Sequence, residues 1–167
     1  VRGGLGSETG TDAPPPAFHA ARLAGVPAPA ARYLAHVIPE NHEGPRMVRV
    51  VWSGEFRTRP RGAWAPFSAV QHFSTVRPGF VWDASIRVLP FVSTRVRDSY
   101  MAGVGAMRGS IGGVVPIVSE AGSAGIAQSA LTRWLGEAVW FPTALLDGAV
   151  SWEAVDDGVA RLQAGFE

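Results

Sequence analysis

The sequence predicts an α+β fold in which a curved antiparallel β-sheet, an open half-barrel, wraps around one long helix in the C-terminal third of the chain. Apolar and polar residues alternate through successive segments between residues 47 and 118, and turns containing Gly or Pro separate these segments. One long amphipathic segment follows over residues 124–139. No helices alternate with the strands, which argues against a doubly wound parallel sheet.

The predicted sheet consists of six consecutive segments. In the first segment Val48, Val50 and Trp52 share one phase of the alternation, and Arg49 lies in the other. Strands joined by short turns form an antiparallel meander with one buried face and one wetter face. The six strands are expected over residues 47–57, 64–76, 80–89, 93–102, 104–111 and 114–118.

Helices are expected before and after these six strands in the sequence. Residues 16–24 and 29–38 fit one or two short N-terminal helices. In the second, Pro29 suits the first turn and Pro39 ends the helix. Ser123 is a suitable N-cap for the long helix, which presents an apolar face at helical spacing. A final pair of strands is expected over residues 150–154 and 159–166.

The length of 167 residues is that of one ordinary domain. We expect a flexible lead over residues 1–16, which are rich in Gly, Thr and Pro, and a single α+β domain over residues 17–167. The last strand pattern coincides with the end of the chain. The domain is therefore expected to be truncated at its C-terminus.

Charge and composition exclude several classes of protein. The chain has 15 basic residues, all of them Arg, and 14 acidic residues. The resulting net charge of +1 argues against a nucleic-acid partner. Arg57, Arg59 and Arg61 crowd one hairpin tip, which we interpret as a solvated turn. Cys is absent, so disulfides and thiolate metal sites are excluded. No apolar run is long enough to span a bilayer and no secretory signal is visible, so the cytoplasm is the default compartment.

Patterns typical of catalysis are weak. The segment Ala121-Gly-Ser-Ala-Gly125 resembles a nucleophile elbow, but every His precedes it in the chain and no β-α units surround it, so Ser123 is interpreted as a helix cap. The clustered ligand types His36, Glu40, His42 and Glu43 are interpreted as an exposed loop. We expect no metal and no cofactor, and catalytic residues stay unknown.

Large aromatic residues give the stronger signal. Many of them fall on positions that face the predicted core or the covering helix, where incomplete packing leaves an apolar cavity between sheet and helix. The expected ligand-binding residues are Trp52, Phe56, Phe73, Trp82, Trp134, Trp140 and Phe141.

Polar residues on the same elements have two interpretations. They form ion pairs across the sheet, or they lie at a pocket rim and fix the polar head of a ligand. The candidates for the rim are His72, Asp83, Arg97, Asp98 and Glu137.

Several motifs resemble an uncharacterised bacterial family, a domain of unknown function common in actinobacteria and other GC-rich genomes. They are Pro29-Ala-Ala-Arg-Tyr-Leu34, Ser53-Gly-Glu-Phe56 leading into Trp64-x-Pro66-Phe67, Gly79-Phe-Val-Trp-Asp83, Arg97-Asp-Ser-Tyr100, Met107-Arg-Gly109 and, most specific, Glu137-Ala-Val-Trp-Phe-Pro142. The family has no assigned activity, so the resemblance implies no catalytic residue. Its element order is similar to the lipoprotein-carrier half-barrels, whose open sheet wraps a helix and holds acyl chains.

These observations favour non-catalytic binding of a lipid-like or other apolar small molecule between sheet and helix. An enzyme of unknown class, with a polar site around the five rim candidates, is one alternative. A structural or protein-interaction domain that docks a protein partner through a sheet edge or through the surface of Trp140 and Phe141 is the other.

Overall fold

The computed structural model describes residues 16–57, 59–146, 148 and 150–164. In this part of the chain two α-helices, α1 (Ala28–Val37) and α2 (Ala124–Glu137), accompany eight strands. The strands are β1 (Met47–Phe56), β2 (Ala65–Ser74), β3 (Gly79–Leu89), β4 (Val92–Met101), β5 (Val104–Ile111), β6 (Val115–Ala121), β7 (Val150–Ala154) and β8 (Ala160–Ala164). Short 3-10 helices cover Ala20–Leu23, Ala138–Trp140 and Pro142–Leu146.

Strands β1 to β6 form one sheet in sequence order, and each neighbouring pair is antiparallel. β1 and β6 lie at the two edges, so the described part of the sheet is not closed into a barrel. β7 and β8 form a separate antiparallel hairpin. Because the one main helix follows the sheet in the C-terminal third, the predicted α+β class is confirmed.

The N-terminal segment differs most from its prediction. The sequence predicts a helix over residues 16–24, whereas the chain forms a single 3-10 turn at Ala20–Leu23. No side chain caps the start of this turn, and Gly25 follows it with φ of 85°. The predicted flexible lead lies, apart from Pro16, outside the described residues, as do the last residues of the predicted final strand.

The strand register divides the six-stranded sheet into two faces. We call the face that α2 covers the helix-side face and the opposite one the open face. One row across the helix-side face consists of Val50, Gln71, Trp82, Asp98, Met107 and Glu120. The adjacent row on the open face consists of Val51, Val70, Asp83, Arg97, Arg108 and Ser119.

Helix α2 begins at the predicted cap and packs closely on the helix-side face. The Ser123 hydroxyl accepts a hydrogen bond from the backbone N–H of Ile126. Gly105 of β5 lies so near the helix that an added Cβ would be 2.7 Å from the Ile126 carbonyl oxygen. Trp134 is 1% exposed and its indole donates to the Ser74 carbonyl. Burying a side chain of this size contributes about 1.5–3 kcal/mol, so Trp134 anchors the helix.

The remaining elements complete the same core. Leu34 and Ile38 of α1 are buried in it, and so is Phe18, whose backbone pairs with Asn41 and His42. The indole of Trp152 in β7 donates to a carbonyl of the segment after α2, which holds the second hairpin there. None of the helices in the described ranges is long and apolar enough to cross a membrane.

The close approach of α2 to Gly105 predicts how two glycine substitutions change the free energy of unfolding. We expect Gly105→Ala to lower the free energy of unfolding by about 1–3 kcal/mol, because the new methyl group meets helix backbone that must move. Gly136→Ala, also at this helix, adds a Cβ with no atom within 4 Å and is expected to raise it by about 0.5 kcal/mol. Urea unfolding measures both. Equal effects of the two variants would contradict the close packing of α2.

Candidate functional site

The aromatic residues predicted to bind a ligand form a packed layer on the helix side. Phe73, Trp134 and Phe141 are almost completely buried, and the Phe141 ring centroid lies 4.9 Å from that of Phe73 and 5.7 Å from that of Trp134. Trp82 is 8% exposed, Trp52 is half-buried, and Phe56 and Trp140 are 37% and 48% exposed. Most of these rings are therefore packed against one another.

Little space remains between this layer and α2. A cavity of about 80 Å³ opens there beside Asp98, Met107 and Arg133. Pockets for small organic ligands have volumes of roughly 300–1,000 Å³. The cavity beside these three residues is therefore smaller than a typical small-molecule site.

A polar network crosses this interface. Arg133 of α2 binds the Asp98 carboxylate at 2.6 Å and the Glu137 carboxylate at 3.2 Å. Gln71, which is fully buried, donates to Glu137 at 2.7 Å and accepts from the Trp52 indole at 3.1 Å. No buried side-chain N or O of the described residues lacks a partner. Such a satisfied network fixes the register of helix on sheet.

Arg133 is also surrounded by aromatic rings. Its guanidinium carbon lies 5.0 Å from the Phe80 ring centroid and 5.1 Å from that of Trp82. Cation–π contacts of this kind add to the ion pairs in stabilising this partly buried charge. Each of the three guanidinium nitrogens of Arg133 thus donates one hydrogen bond to the protein itself, to Glu137, Asp98 and Gln71, which indicates a structural role.

The five polar residues predicted to line a pocket rim divide between the two faces. Asp98 and Glu137 belong to the network under α2. Asp83, Arg97 and His72 lie on the open face. His72 is two residues along β2 from Val70, which pairs with Asp83. The sheet separates the two groups, so the five side chains do not converge on one point.

A larger cavity lies on the open face. Its volume is about 720 Å³, within the range for small-molecule sites, and residues of all six strands line it. Its apolar walls include Val51, Val70, Val114 and Pro116. Hydroxyl groups come from Ser68, Ser85, Ser110 and Ser119, and the charged groups are Asp83, Arg95, Arg97 and Arg108.

Two of the three arginines in this cavity have no partner in the described part of the chain. Arg97 forms two hydrogen bonds to the Asp83 carboxylate, at 2.6 and 2.8 Å. Arg95 and Arg108 have no hydrogen bond, ion pair or ring contact among the described residues. Because one carboxylate faces three guanidiniums, the cavity carries an excess of positive charge.

The charge of Asp83 is fixed by its partner. Hydrogen bonds from Arg97 are the largest cause that lowers the pKa of Asp83 below its ordinary value, and the charges of Arg97 and His72 act in the same direction against partial burial. The same pairing raises the pKa of Arg97. At neutral pH the pair is therefore a neutral unit, and Arg95 and Arg108 supply the net charge.

A second cavity, of about 510 Å³, lies between the end of α1 and the segment after α2. Val37, Pro39, His42, Trp140 and Phe141 contribute to its walls. It is the place where two of the predicted aromatic residues border open space. Across the described ranges no group of three or more His, Asp or Glu side chains is arranged to hold a metal ion.

Several residues that line or build these sites are not among the sequence-based candidates, and the arguments above depend most on four of them: Gln71, Arg133, Arg95 and Arg108. Gln71 has a detectable signal, because it occupies the apolar phase of β2 between Ala69 and Phe73. Arg133 precedes Glu137 by one helical turn, the spacing of an ion pair. Arg95 and Arg108 look like ordinary exposed strand residues until the register brings them to one cavity.

The buried network predicts a large loss of stability on removal of its cation. Arg133→Ala leaves Asp98, which is 6% exposed, without its partner and is expected to cost about 2–3 kcal/mol. The control Arg161→Ala breaks an exposed pair with Glu153 and is expected to cost at most about 1 kcal/mol. Thermal or urea unfolding distinguishes them, and an equal cost would refute the structural role of Arg133.

The open-face ion pair predicts a titration shift. Arg97→Gln is expected to return the pKa of Asp83 towards its ordinary value, because it removes the hydrogen bonds that favour the carboxylate. In the native protein the pair stabilises the fold above the ordinary aspartate pKa, and this contribution is lost as the pH falls through the lowered pKa of Asp83. Carboxyl-carbon NMR titration measures the change. An unshifted pKa in the variant would mean that the pair does not persist in solution.

Comparisons with known proteins place the chain in a family without assigning an activity. Neither the curated proteins nor the solved structures give a significant match. The expected similarity to lipoprotein carriers therefore stays a prediction. The model of one family, described as a family of unknown function (DUF6544), matches residues 16–165. Because this match covers most of the 167 residues, the chain belongs to that family of unknown function.

Proposed function

We propose that this protein binds a lipid-like molecule with an anionic head group in the open-face cavity, without covalent chemistry. The observation that carries the proposal is the combination, in one cavity, of apolar walls and two arginines that have no partner among the described residues. Apolar walls favour a hydrocarbon body, and guanidinium groups bind carboxylate or phosphate oxygens through a planar fork of donors.

The size of the cavity supports a ligand of this class. A volume of about 720 Å³ accommodates a molecule with an acyl chain. Val51 and Val70 lie at one side, near the β1 edge, and Arg108 lies towards the β6 edge. A ligand that lies across the strands would thus meet only valine side chains at the β1 end, and a guanidinium group beside Val114 and Pro116 at the β6 end.

This position differs from the one expected from the sequence. The sequence favours a ligand between sheet and helix, but there the rings of Phe73, Trp134 and Phe141 pack on one another and the cavity is about 80 Å³. The open face offers nine times that volume, so the proposal assigns the ligand to it.

The enzyme alternative has less support. Acid–base chemistry needs side chains within hydrogen-bond reach of one another in one pocket. Asp83 and Arg97 are committed to each other, and Asp98 and Glu137 are committed to Arg133 on the opposite face. The interaction-domain alternative relies on a sheet edge or on the surface of Trp140 and Phe141, and it stays a prediction. Of these two rings Trp140 is half-exposed and Phe141 is buried.

Binding measurements with three dodecyl amphiphiles test the proposal. Isothermal titration below their micelle concentrations is expected to detect dodecanoate more strongly than dodecanol, and to detect no binding of dodecyltrimethylammonium, because the cavity is cationic. Stronger binding of the cationic amphiphile, or no binding of any of the three, would contradict the proposal.

Charge variants of the cavity sharpen this test. Arg108→Gln is expected to weaken dodecanoate binding about tenfold, equivalent to about 1.4 kcal/mol. Asp83→Asn is expected to strengthen it by several-fold, because it frees Arg97 from its carboxylate partner. Arg49→Gln, an exposed open-face residue outside the cavity wall, is the matched control and should change the affinity little. A loss of affinity in Asp83→Asn would overturn the charge argument.

A variant with a filled cavity tests whether dodecanoate occupies the cavity or is only attracted to the protein by long-range charge. Ser85→Trp places a large ring at the cavity wall and is expected to abolish dodecanoate binding without unfolding the protein. Ser151→Trp introduces the same ring at an exposed position of β7, in the separate hairpin, and should leave binding intact. Retained binding in Ser85→Trp would move the ligand to another site.

A further inference from the structure

Three hairpin connections meet at one end of the six-stranded sheet. Because β1 to β6 follow one another as a meander, the connections β1–β2, β3–β4 and β5–β6 lie at the same end. The register confirms this, since Phe67 of β2 aligns with Ile86 of β3, and Thr94 of β4 with Ile111 of β5. We call the exposed residues of these connections the hairpin-tip surface: Arg57, Arg59, Arg61, Trp64, Arg87, Leu89, Phe91 and Val114.

Large apolar side chains project from each of the three tips. Trp64 is 58% exposed in the first connection, Leu89 is 62% exposed and Phe91 fully exposed in the second, and Val114 is 83% exposed in the third. Exposed apolar residues scattered singly are normal, whereas these residues lie at the tips of three adjacent hairpins, which favours an interaction surface.

Phe91 is held in an unfavourable conformation. Its φ is 65°, in the left-handed region that bulky residues rarely adopt and that Gly or Asn adopts easily. The chain thus carries a strained, fully exposed aromatic ring at a turn where Gly or Asn would fold better. This cost is explained if the ring has a use outside the folded domain.

Charge at this end is strongly one-sided. Residues 55–64, 87–95 and 111–115 contain five arginines and one acidic residue, Glu55, whereas the whole chain has a net charge of +1. The remainder of the chain is therefore acidic on balance. The guanidinium carbon of Arg57 lies 4.7 Å from the Trp64 ring centroid, so cation and aromatic ring are presented together.

The combination fits the surface of an anionic bilayer. Aromatic and aliphatic side chains insert at the level of the head groups, and arginines beside them attract anionic lipids. A nucleic acid would use the arginines but not the projecting Leu89 and Val114. Two residues of this end, Arg95 and Val114, also line the open-face cavity, so the cavity opens next to the proposed contact.

We propose that the hairpin-tip surface docks this protein on membranes that contain anionic lipids. The apolar tips enter the head-group region and the surrounding arginines bind lipid phosphates. This proposal is independent of the ligand in the cavity, since its main residues Arg59, Arg61, Trp64 and Phe91 do not line that cavity.

Vesicle co-sedimentation of the purified chain tests it. Binding is expected to vesicles of phosphatidylcholine mixed with phosphatidylglycerol, to be much weaker with phosphatidylcholine alone, and to fall with added salt. The double variant Arg59→Gln/Arg61→Gln is expected to lose about 25-fold in affinity, about fivefold for each charge removed near the surface. Arg77→Gln, at the opposite end of the sheet, is the charge control and should bind as the native protein does.

Phe91→Asn separates docking from folding. Asn tolerates the left-handed conformation, so this variant should be at least as stable as the native protein while its vesicle binding falls. Met101→Ser, which removes a side chain 63% exposed at the opposite end, is the apolar control and should keep full binding. Loss of both stability and binding in Phe91→Asn would overturn the docking role of the ring.

Several other outcomes would refute the docking proposal. No binding to the anionic vesicles, or equal losses in the tip variants and their controls, would refute it. Binding of duplex DNA with the same sensitivity to Arg59→Gln/Arg61→Gln, without vesicle binding, would assign the surface to nucleic acid and also refute it. Titration of dodecanoate in the tip variants should be unchanged, so failure here is distinguishable from failure of the ligand proposal.

Discussion

The packing of α2 on one face of the sheet determines the rest of the architecture. Gly105 lets the helix backbone approach β5, and Trp134 and the Arg133 network fix its position on β2 to β4. With that face filled by aromatic rings, the described helices leave the other face of the sheet uncovered. The helix-side face thus contributes the packed core that stabilises the fold, and the open face contains a cavity.

Three arginine environments show the same division. Arg133 is partly buried and bound by Asp98, Glu137 and Gln71. Arg97 is exposed but paired in a two-bond arrangement with Asp83. Arg95 and Arg108 lie beside apolar walls and have no partner among the residues that the structure describes. Partnered guanidiniums hold the structure together, whereas those without partners in the described chain can bind something else.

Much of the fold was predictable because alternation and turn residues are local signals. The observed strands lie within a few residues of the predicted ones, and Ser123 caps α2 as its sequence context indicates. Alternation also separates Arg97 from Asp98, since neighbouring strand residues point to opposite faces. The location of the cavity was not predictable, because it depends on how rings such as Phe73 and Phe141 fill one face in three dimensions.

The central claim is that a ligand occupies the open face and not the helix side. Isotope-filtered NOE spectroscopy of labelled protein with unlabelled dodecanoate tests it most directly. We expect cross-peaks from the acyl chain to the methyl groups of Val51 and Val70, which line the open-face cavity. Cross-peaks to the Trp52 or Trp134 rings, with none to these valines, would contradict the account.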